Sequence, residues 1–234
     1  MKLLALDTAT DWCSAALWMD GALQWREALR ARGQGQLILP MIEELLAQAG
    51  IGLRQLDAIA FGRGPGAFTG VRLALSVAQG LAFSADLPLM PISDLRALAA
   101  QALQRAGAPD RVLICQDARM SEVYWGCFQR SGRLADAVGV ESVAAPGCVT
   151  LPAGWSAASV WGAGSGFTAY RPALSLLAGQ LGDIGEGISP RAQEIAQLAA
   201  ADGLSTAVPP EQALPVYLRD EVAKVPVVLA SSRN

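Results

Sequence analysis

Gly62-Arg63-Gly64-Pro65-Gly66-Ala67-Phe68-Thr69-Gly70-Val71-Arg72 is the stretch whose reading decides the fold. It follows the apolar run Leu56 to Phe61 and leads into a helical sequence, Val71 to Ala85. A buried strand, a glycine-rich loop and a helix, in that order, mark an α/β unit. Glycine tolerates positive φ and lets one backbone approach another closely. The helix start offers unpaired N–H groups and the positive end of a dipole, which suit an anion, and Arg63 and Arg72 add charge. No Gly-Lys-Ser/Thr follows, so this is not a Walker loop, and the spacing does not match G-x-G-x-x-G. Two readings stand. The local chemistry favours a tight strand-to-helix connection. The other is an anion or nucleotide cradle built from Gly64, Gly66, Thr69 and Gly70, with Asp7 and Thr8 from the first strand end and Gly164 from a later loop.

Outward from this loop, the first half reads as three strands, a helix, a strand, a helix and a short extended segment. Residues 2–6 are apolar and end in Asp7-Thr8-Ala9-Thr10; Cys13 to Trp18 and Ala22 to Ala28 flank Asp20-Gly21, a hairpin turn signal. Gln36 to Ala49 predicts a helix closed by Gly50 at its C-terminus. Leu87 to Ile92 is extended, and Ser93 is placed to cap a third helix that ends near Gly107. The order then begins again: Arg111 to Gln116 ending in Asp117, a strand Glu122 to Gln129, a turn at Ser131-Gly132, and an extended stretch Leu134 to Val143. Ser159 to Trp161 runs into Gly162-Ala163-Gly164-Ser165-Gly166, and Ser189-Pro190 predicts the start of a last helix that ends near Gly203. Each half thus ends its first strand on an Asp and carries a later glycine loop. The pattern predicts two duplicated α/β lobes of βββαβα order, 1–108 and 109–234, with a cleft between them; the plainer alternative is a single elaborated α/β domain. The last segment, from about 212 to 234, is expected to pack back on the first lobe.

Composition narrows the function. Of 234 residues, 52% are hydrophobic, yet no apolar run approaches the length of a membrane span. Asp7 interrupts the apolar N-terminus too early for a signal peptide, so a cytoplasmic protein is expected. Cys13, Cys115, Cys127 and Cys148 form no C-x-x-C pair and read as core residues. Histidine is absent, which removes the commonest general base and metal ligand, so no metal site is expected. The two lysines, Lys2 and Lys224, lie at the chain ends, so no loop lysine can hold a phosphate. A net charge of −3 argues against gripping tRNA alone, since phosphate contacts need a basic face.

Three further groups of residues carry a resemblance. Leu6-Asp7-Thr8-Ala9-Thr10, the Gly64 to Arg72 segment, and Asp117-Ala118-Arg119-Met120 with Glu122-Val123-Tyr124 resemble successive signatures of the TsaB (YeaZ) family, and Pro215-Val216-Tyr217-Leu218-Arg219 resembles its C-terminal one. The resemblance implies a two-lobed actin-like, sugar-kinase-like (ASKHA) fold. It implies a non-catalytic subunit that binds the related catalytic protein TsaD, and with it the ATPase TsaE, for threonylcarbamoyl transfer to tRNA adenosine (t6A biosynthesis). TsaC supplies the threonylcarbamoyl-adenylate. It further implies a homodimer when alone, tRNA contacted only through the complex, no cofactor of its own, and ATP or ADP as the nucleotide of the complex. Two positions depart from the family: Ala67 stands where Ser is common, and Gln34-Gly35-Gln36 stands where a His often precedes the first helix. No hydroxyl at 67 and no imidazole at the helix start can therefore be essential here.

In enzymes of this fold an Asp after the first strand can hold metal or polarise a nucleophile. For Asp7 and Asp117 turn capping is the preferred reading, because no third group completes a catalytic set; Asp117 and Arg119 are expected to pair structurally. The first helix is apolar over about half its circumference, through Leu37, Ile38, Leu39, Met41, Ile42, Leu45, Leu46 and Ala49, wider than one core contact needs. In the second helix, Val71, Leu73, Leu75, Val77 and Leu81 are expected to face the core, leaving a stripe of Arg72, Ser76, Gln79 and Phe83. Leu37, Met41 and Leu45 with that stripe are the candidate partner-binding residues; the plainer reading tucks Phe83 under the second lobe. The competing function is an ATP-dependent phosphotransferase of sugar-kinase type, using Asp7 and the two glycine loops; two small lobes leave little room for a sugar. A metallopeptidase is disfavoured by the lack of histidine.

Overall fold

The computed structural model describes residues 1–132, 134–185 and 187–219. Two five-stranded sheets carry the fold. The first contains β1 (Lys2–Asp7), β2 (Trp12–Met19), β3 (Ala22–Leu29), β4 (Ala58–Gly62) and β5 (Leu89–Ile92), in the order β3-β2-β1-β4-β5. The second contains β6 (Arg111–Asp117), β7 (Val123–Ser131), β8 (Leu134–Ala144), β9 (Trp161–Ala163) and β10 (Asp183–Gly185), in the order β10-β9-β6-β7-β8. Within each, the first three strands are antiparallel and the last two join in parallel. The two lobes therefore share one topology, as the repeated order in the sequence predicts.

The helices are α1 (Ile38–Ala49), α2 (Phe68–Ala85), α3 (Asp94–Leu103), α4 (Gly166–Ala169), α5 (Arg171–Ala178) and α6 (Ala192–Asp202). Strand alternation sorts them into layers. Leu4, Leu6, Leu17, Ile59 and Phe61 face α1 and α2 in one core, while Leu3, Ala5, Ala16, Ala58 and Ala60 face the opposite way, toward α6 and α3. In the second sheet Val112, Ile114 and Phe128 face that same central layer, and Leu113, Cys115 and Cys127 face α4 and α5. The central layer is exchanged between lobes: α6 packs on β1 and β2, and α3 packs on β6, β7 and β8. The small side chains of α3 and α6, largely alanine, let both sheets close on it. A division at 108/109 separates the sheets but not these two helices.

The two lobes differ in how they fill the outer layer. Between β3 and β4 stands the full helix α1; between β8 and β9 there are only the short 3₁₀ turns Pro146–Cys148 and Ala157–Ser159. The equivalent of α2 is broken into α4 and α5, so the βββαβα order holds strictly in the first lobe alone. The last helix starts at Ala192 rather than at Ser189, because its first N–H is taken by Ser14 Oγ of β2 at 2.9 Å, a cap supplied across the lobes. Arg191 beside it pairs with Glu27 at 2.9 Å and stacks over Trp12. Ser93 caps α3 as expected, accepting from Arg96 N, and Asp20-Gly21 turns the β2–β3 hairpin with both residues at positive φ. Cys13, Cys115, Cys127 and Cys148 are all free thiols, the first three buried. Among the described residues no helix is long and apolar enough to cross a membrane.

Candidate functional site

The glycine loop leaves β4 at Gly62 and enters α2 at Phe68, passing over the turn that follows β1. A Cβ at Gly70 would lie 2.0 Å from Thr8 O, and one at Gly66 would lie 2.8 Å from Ala9 O. These positions require glycine because the Thr8–Ala9 backbone occupies the space a side chain would need. Thr8 Oγ1 donates to Gly70 O at 2.7 Å, and Ala67 N donates to Ala9 O at 2.8 Å. Gly64 takes φ +94° and donates its N–H to Asp94 Oδ2. Gln34, just before α1, donates its amide to Thr10 O and Trp12 O, tying the start of α1 to the same turn. The second lobe repeats the device: a Cβ at Gly164 would lie 2.4 Å from Cys115 O at the end of β6.

Asp7 is fully buried, and its Oδ1 accepts from Ala9 N at 2.9 Å, the turn-capping arrangement expected. Burial pushes its carboxyl up to about 7, against the lowering effect of its hydrogen bonds from Ala9, Asp94 and Thr8. Asp94, equally buried, has its carboxyl raised well above the usual range, first by desolvation and then by the neighbouring charge of Asp7. Sequence reading missed Asp94: an acid in a helix's first turn is ordinary, and nothing in the chain points from it to Asp7. Asp117 makes the same turn, accepting from Arg119 N at 2.7 Å, and its other oxygen pairs with Arg119 Nη1 at 3.1 Å, as expected.

A cleft of about 490 Å³ opens between the lobes at the ends of β1 and β6. Its walls include Ala9, Trp12, Phe68, Asp117, Arg119, Tyr124 and Tyr217. Of the residues assigned to an anion site, Gly66 alone lines it; Asp7 and Thr8 are buried beneath, Thr69 is exposed in the first turn of α2, and Gly64, Gly70 and Gly164 are engaged in the close approaches above. The chain's own C-terminal segment forms one lip. Val208 pairs with Leu89 beyond β5, Val216 N donates to Arg63 O at 2.8 Å, and Arg219 reaches Glu122 and Ala118 O of the second lobe. Residues 220–234 of the predicted packing segment lie outside the described residues.

The candidate partner face divides. Leu45 is fully buried in the first core and is not available to a partner; Leu37 and Met41 are half-buried. Arg72 and Gln79 are half-buried and contact the C-terminal segment. The Arg72 guanidinium lies 3.3 Å from the Phe68 ring centre and 4.8 Å from that of Tyr217, and Gln79 donates to Pro210 O at 2.9 Å. Ser76 is exposed, and Phe83 is 62% exposed, not tucked beneath the second lobe. The buried stripe of α2 is Val71, Ala74, Leu75, Ala78 and Ala82, where the sequence pointed to Leu73, Val77 and Leu81. Small alanines bring the helix close to the sheet and push the larger side chains to its flank. Leu73, Val77 and Leu81 are half-buried, and with Leu37, Met41 and the exposed Leu39 they give the outer layer an apolar surface.

Comparison with known proteins places this arrangement. The family model described as TsaD, tRNA N6-adenosine threonylcarbamoyltransferase, matches residues 29–226. The tRNA threonylcarbamoyladenosine biosynthesis protein TsaB of Escherichia coli is 40% identical over 232 residues, 95% of this chain and 96% of that protein. The chain belongs to the TsaB family. The Haemophilus influenzae TsaB is 53% identical over about half of each chain, 53% of this one and 52% of that one. A crystal structure of a Pseudomonas aeruginosa protein with similarity to peptidase YeaZ superposes with a TM-score of 0.83 at 43% identity, covering 93% of this chain and 99% of that one. A structure of YeaZ from the same organism gives 0.82 at 40% identity, with 93% and 99% covered. The likeness to YeaZ and the paired sheets together establish the two-lobed actin-like fold expected of a TsaB protein.

Proposed function

We propose that this chain takes part in t6A biosynthesis as a non-catalytic subunit. In this reading it binds the catalytic relative TsaD, and through it TsaE, with the face formed by α1 and α2. The observation that carries the reading is the full-length match to Escherichia coli TsaB, which bears that pathway's name. The outer helices supply the physical support. On these two helices Phe83 is 62% exposed and Leu39 44% exposed, while Leu37, Met41, Leu73, Val77 and Leu81 are half-buried. An apolar surface with an aromatic anchor suits a protein partner. The second lobe has no α1, so the same surface does not recur there. A second copy of the chain would use this face in the absence of TsaD, giving a homodimer. The negative charge fits contact with tRNA only through the complex, and in this reading the protein acts in the cytoplasm. ATP or ADP belongs, in this reading, to the complex rather than to the chain alone. No observation favours the sugar-kinase alternative, since Asp7, the residue it required, lies beneath the cleft and not in it.

Phe83→Glu tests the face. The residue is exposed, so circular dichroism should report an unchanged fold. Burying the new carboxylate at an interface without a counter-charge costs several kcal/mol, which weakens self-association and TsaD binding by about a thousandfold. A folded variant that still dimerises in sedimentation velocity and still supports tRNA modification removes this face from the interface.

A further inference from the structure

Two buried acids from separate elements meet at the root of the glycine loop. Asp7 ends β1 and Asp94 begins α3, and both have no exposed surface. They converge on Gly62, where a Cβ would lie 2.5 Å from Asp94 Oδ1 and 2.6 Å from Asp7 Oδ1. One oxygen of each is already used: Asp7 Oδ1 by Ala9 N, and Asp94 Oδ2 by Gly64 N. The other two, Asp7 Oδ2 and Asp94 Oδ1, are buried with no donor. Buried oxygens left this way are costly, and two adjacent carboxylates in an apolar interior cannot both stay ionised.

The charged neighbours do not relieve the pair. Beyond each other, the charge that acts on Asp94 is Glu141 of β8, itself an acid, held by Ser93 Oγ. Arg63, in the loop, and Arg96, in α3, act on Glu141, and Arg96 is also bound to Asp202 and Asp136. Cys13 of β2 faces Asp7, with its thiol pushed up to about 11 by burial and then by Asp7. Glu194 of α6 is turned to Gln101 and Arg191.

We propose that Asp7 and Asp94 share one proton, and that this proton is a pH-sensitive clasp joining the β1 turn, the glycine loop and the start of α3. An O–H on one carboxyl donating to the other gives this buried pair a donor that it lacks when both are ionised. The clasp is reinforced by backbone on either side: Asp94 N donates to Gly64 O at 3.1 Å, and Arg63 N to Ile92 O at 2.8 Å. Because α3 packs on the second sheet while the loop launches α2, the clasp sits where the two lobes' packing meets. When base removes the proton to solvent, two facing carboxylates remain and repel, and the loop loses its hold on α3. The sign follows from a raised carboxyl: the stabilisation is complete in acid, below the range of a free aspartate, and is lost as pH rises through neutrality.

The test uses the full chain. Carboxyl-carbon NMR of aspartate-labelled protein should show the Asp7 and Asp94 signals moving in one shared step, above the range of a free aspartate. The melting temperature should fall by on the order of 10 °C from pH 5 to pH 9. Glu194, pushed up to about 7 by burial, adds its own slope, so the comparison is made in a Glu194→Gln background. There Asp94→Asn, which keeps an acceptor for Gly64 N and gives Asp7 a fixed donor, should flatten the fall. Both carboxyl signals already ionised at pH 6 would overturn the proposal, as would an unchanged slope in the variant. If Asp94→Asn does not fold, the NMR titration of the unmodified carboxyls decides the matter alone.

Discussion

Asp7 and Asp117 end the first strands of the two lobes and make the same local turn, each accepting the N–H two residues on, at 2.9 and 2.7 Å. Their surroundings could hardly differ more. Asp7 has no exposed surface and faces another acid, Asp94. Asp117 lies at the cleft, where Arg119, 85% exposed, pairs with it at 3.1 Å and Tyr170 Oη donates to it at 2.8 Å. Sequence dictates the turn, since an Asx side chain reaches its own backbone two residues on. Tertiary packing dictates the charge. Asp7 follows Leu3 and Ala5 on the strand face turned to the central layer, where Gly62 and Asp94 at the start of α3 close against it, whereas Asp117 lines the cleft. Duplicated sheets have thus been used for different ends: one corner as part of the core, the other as part of a surface.

The strongest way to break the comparison is to remove the close approach that both corners share. Gly70→Ala sets a Cβ 2.0 Å from Thr8 O, backbone against backbone, with no flexible side chain to yield. Gly164→Ala sets one 2.4 Å from Cys115 O and adds a backbone at φ +107° that alanine resists. Each should destabilise by about 4 kcal/mol or more, or prevent folding. Urea denaturation is the check; Gly80→Ala, with nothing within 4 Å of its Cβ, is the control and should be neutral or slightly stabilising. A folded Gly70→Ala protein of normal stability would mean that the loop has slack, and that the space over Thr8–Ala9 is open to a ligand after all.

A second contrast is one of sign. Above neutral pH the Asp7–Asp94 pair must give up a proton that burial favours keeping, so Asp7→Asn should raise stability at pH 8 by roughly 1–3 kcal/mol relative to the unsubstituted chain and lose that advantage toward pH 5. Asp117→Asn should instead lower stability at pH 7 by about 1 kcal/mol, because it discards an ion pair with an exposed arginine and weakens charged hydrogen bonds. Denaturant titrations of the two variants should move in opposite directions. Movement the same way would show that the corners are electrostatically alike.

Much of this contrast was legible in the chain, and the rest was hidden for physical reasons. Turn and cap chemistry is local, so Asp20-Gly21, Gly50, Ser93 and both aspartate turns could be read directly. The two glycine loops announced close approaches but not what approaches, since Thr8 comes to one from just past β1 and Cys115 to the other from β6. Asp94 was unreadable as a partner of Asp7 because their contact exists only once β1, β4 and α3 are assembled. The start of α6 was read two residues early, because the hydroxyl that caps it belongs to Ser14, far off in sequence. On α2 a rule that ranks leucine above alanine found Val71 and Leu75 but passed over Ala74, Ala78 and Ala82, the small residues that let the helix approach the sheet. The contacts of Arg72 and Gln79 with the C-terminal segment were likewise unreadable, since they join residues far apart in the chain.

The smallest effect sharpens the comparison most finely. Tyr170, just before α5, donates its hydroxyl to Asp117 Oδ1, the same oxygen that accepts Arg119 N. Tyr170→Phe removes that donor and leaves the ring. Asp117 keeps the turn N–H and the guanidinium, and at the cleft edge water can replace the lost hydroxyl, so no buried acceptor is orphaned. The expected loss is about 0.5 kcal/mol, at the low end for a hydrogen bond, measurable as a small drop in the denaturation midpoint with an unchanged slope. At the Asp7 corner the equivalent deletion of a donor could not be so mild, because no water reaches it. A loss of 2 kcal/mol or more for Tyr170→Phe would mean that the Asp117 corner is sealed when the protein is in solution, and that the two lobes close more tightly over the cleft than the exposure of Arg119 indicates.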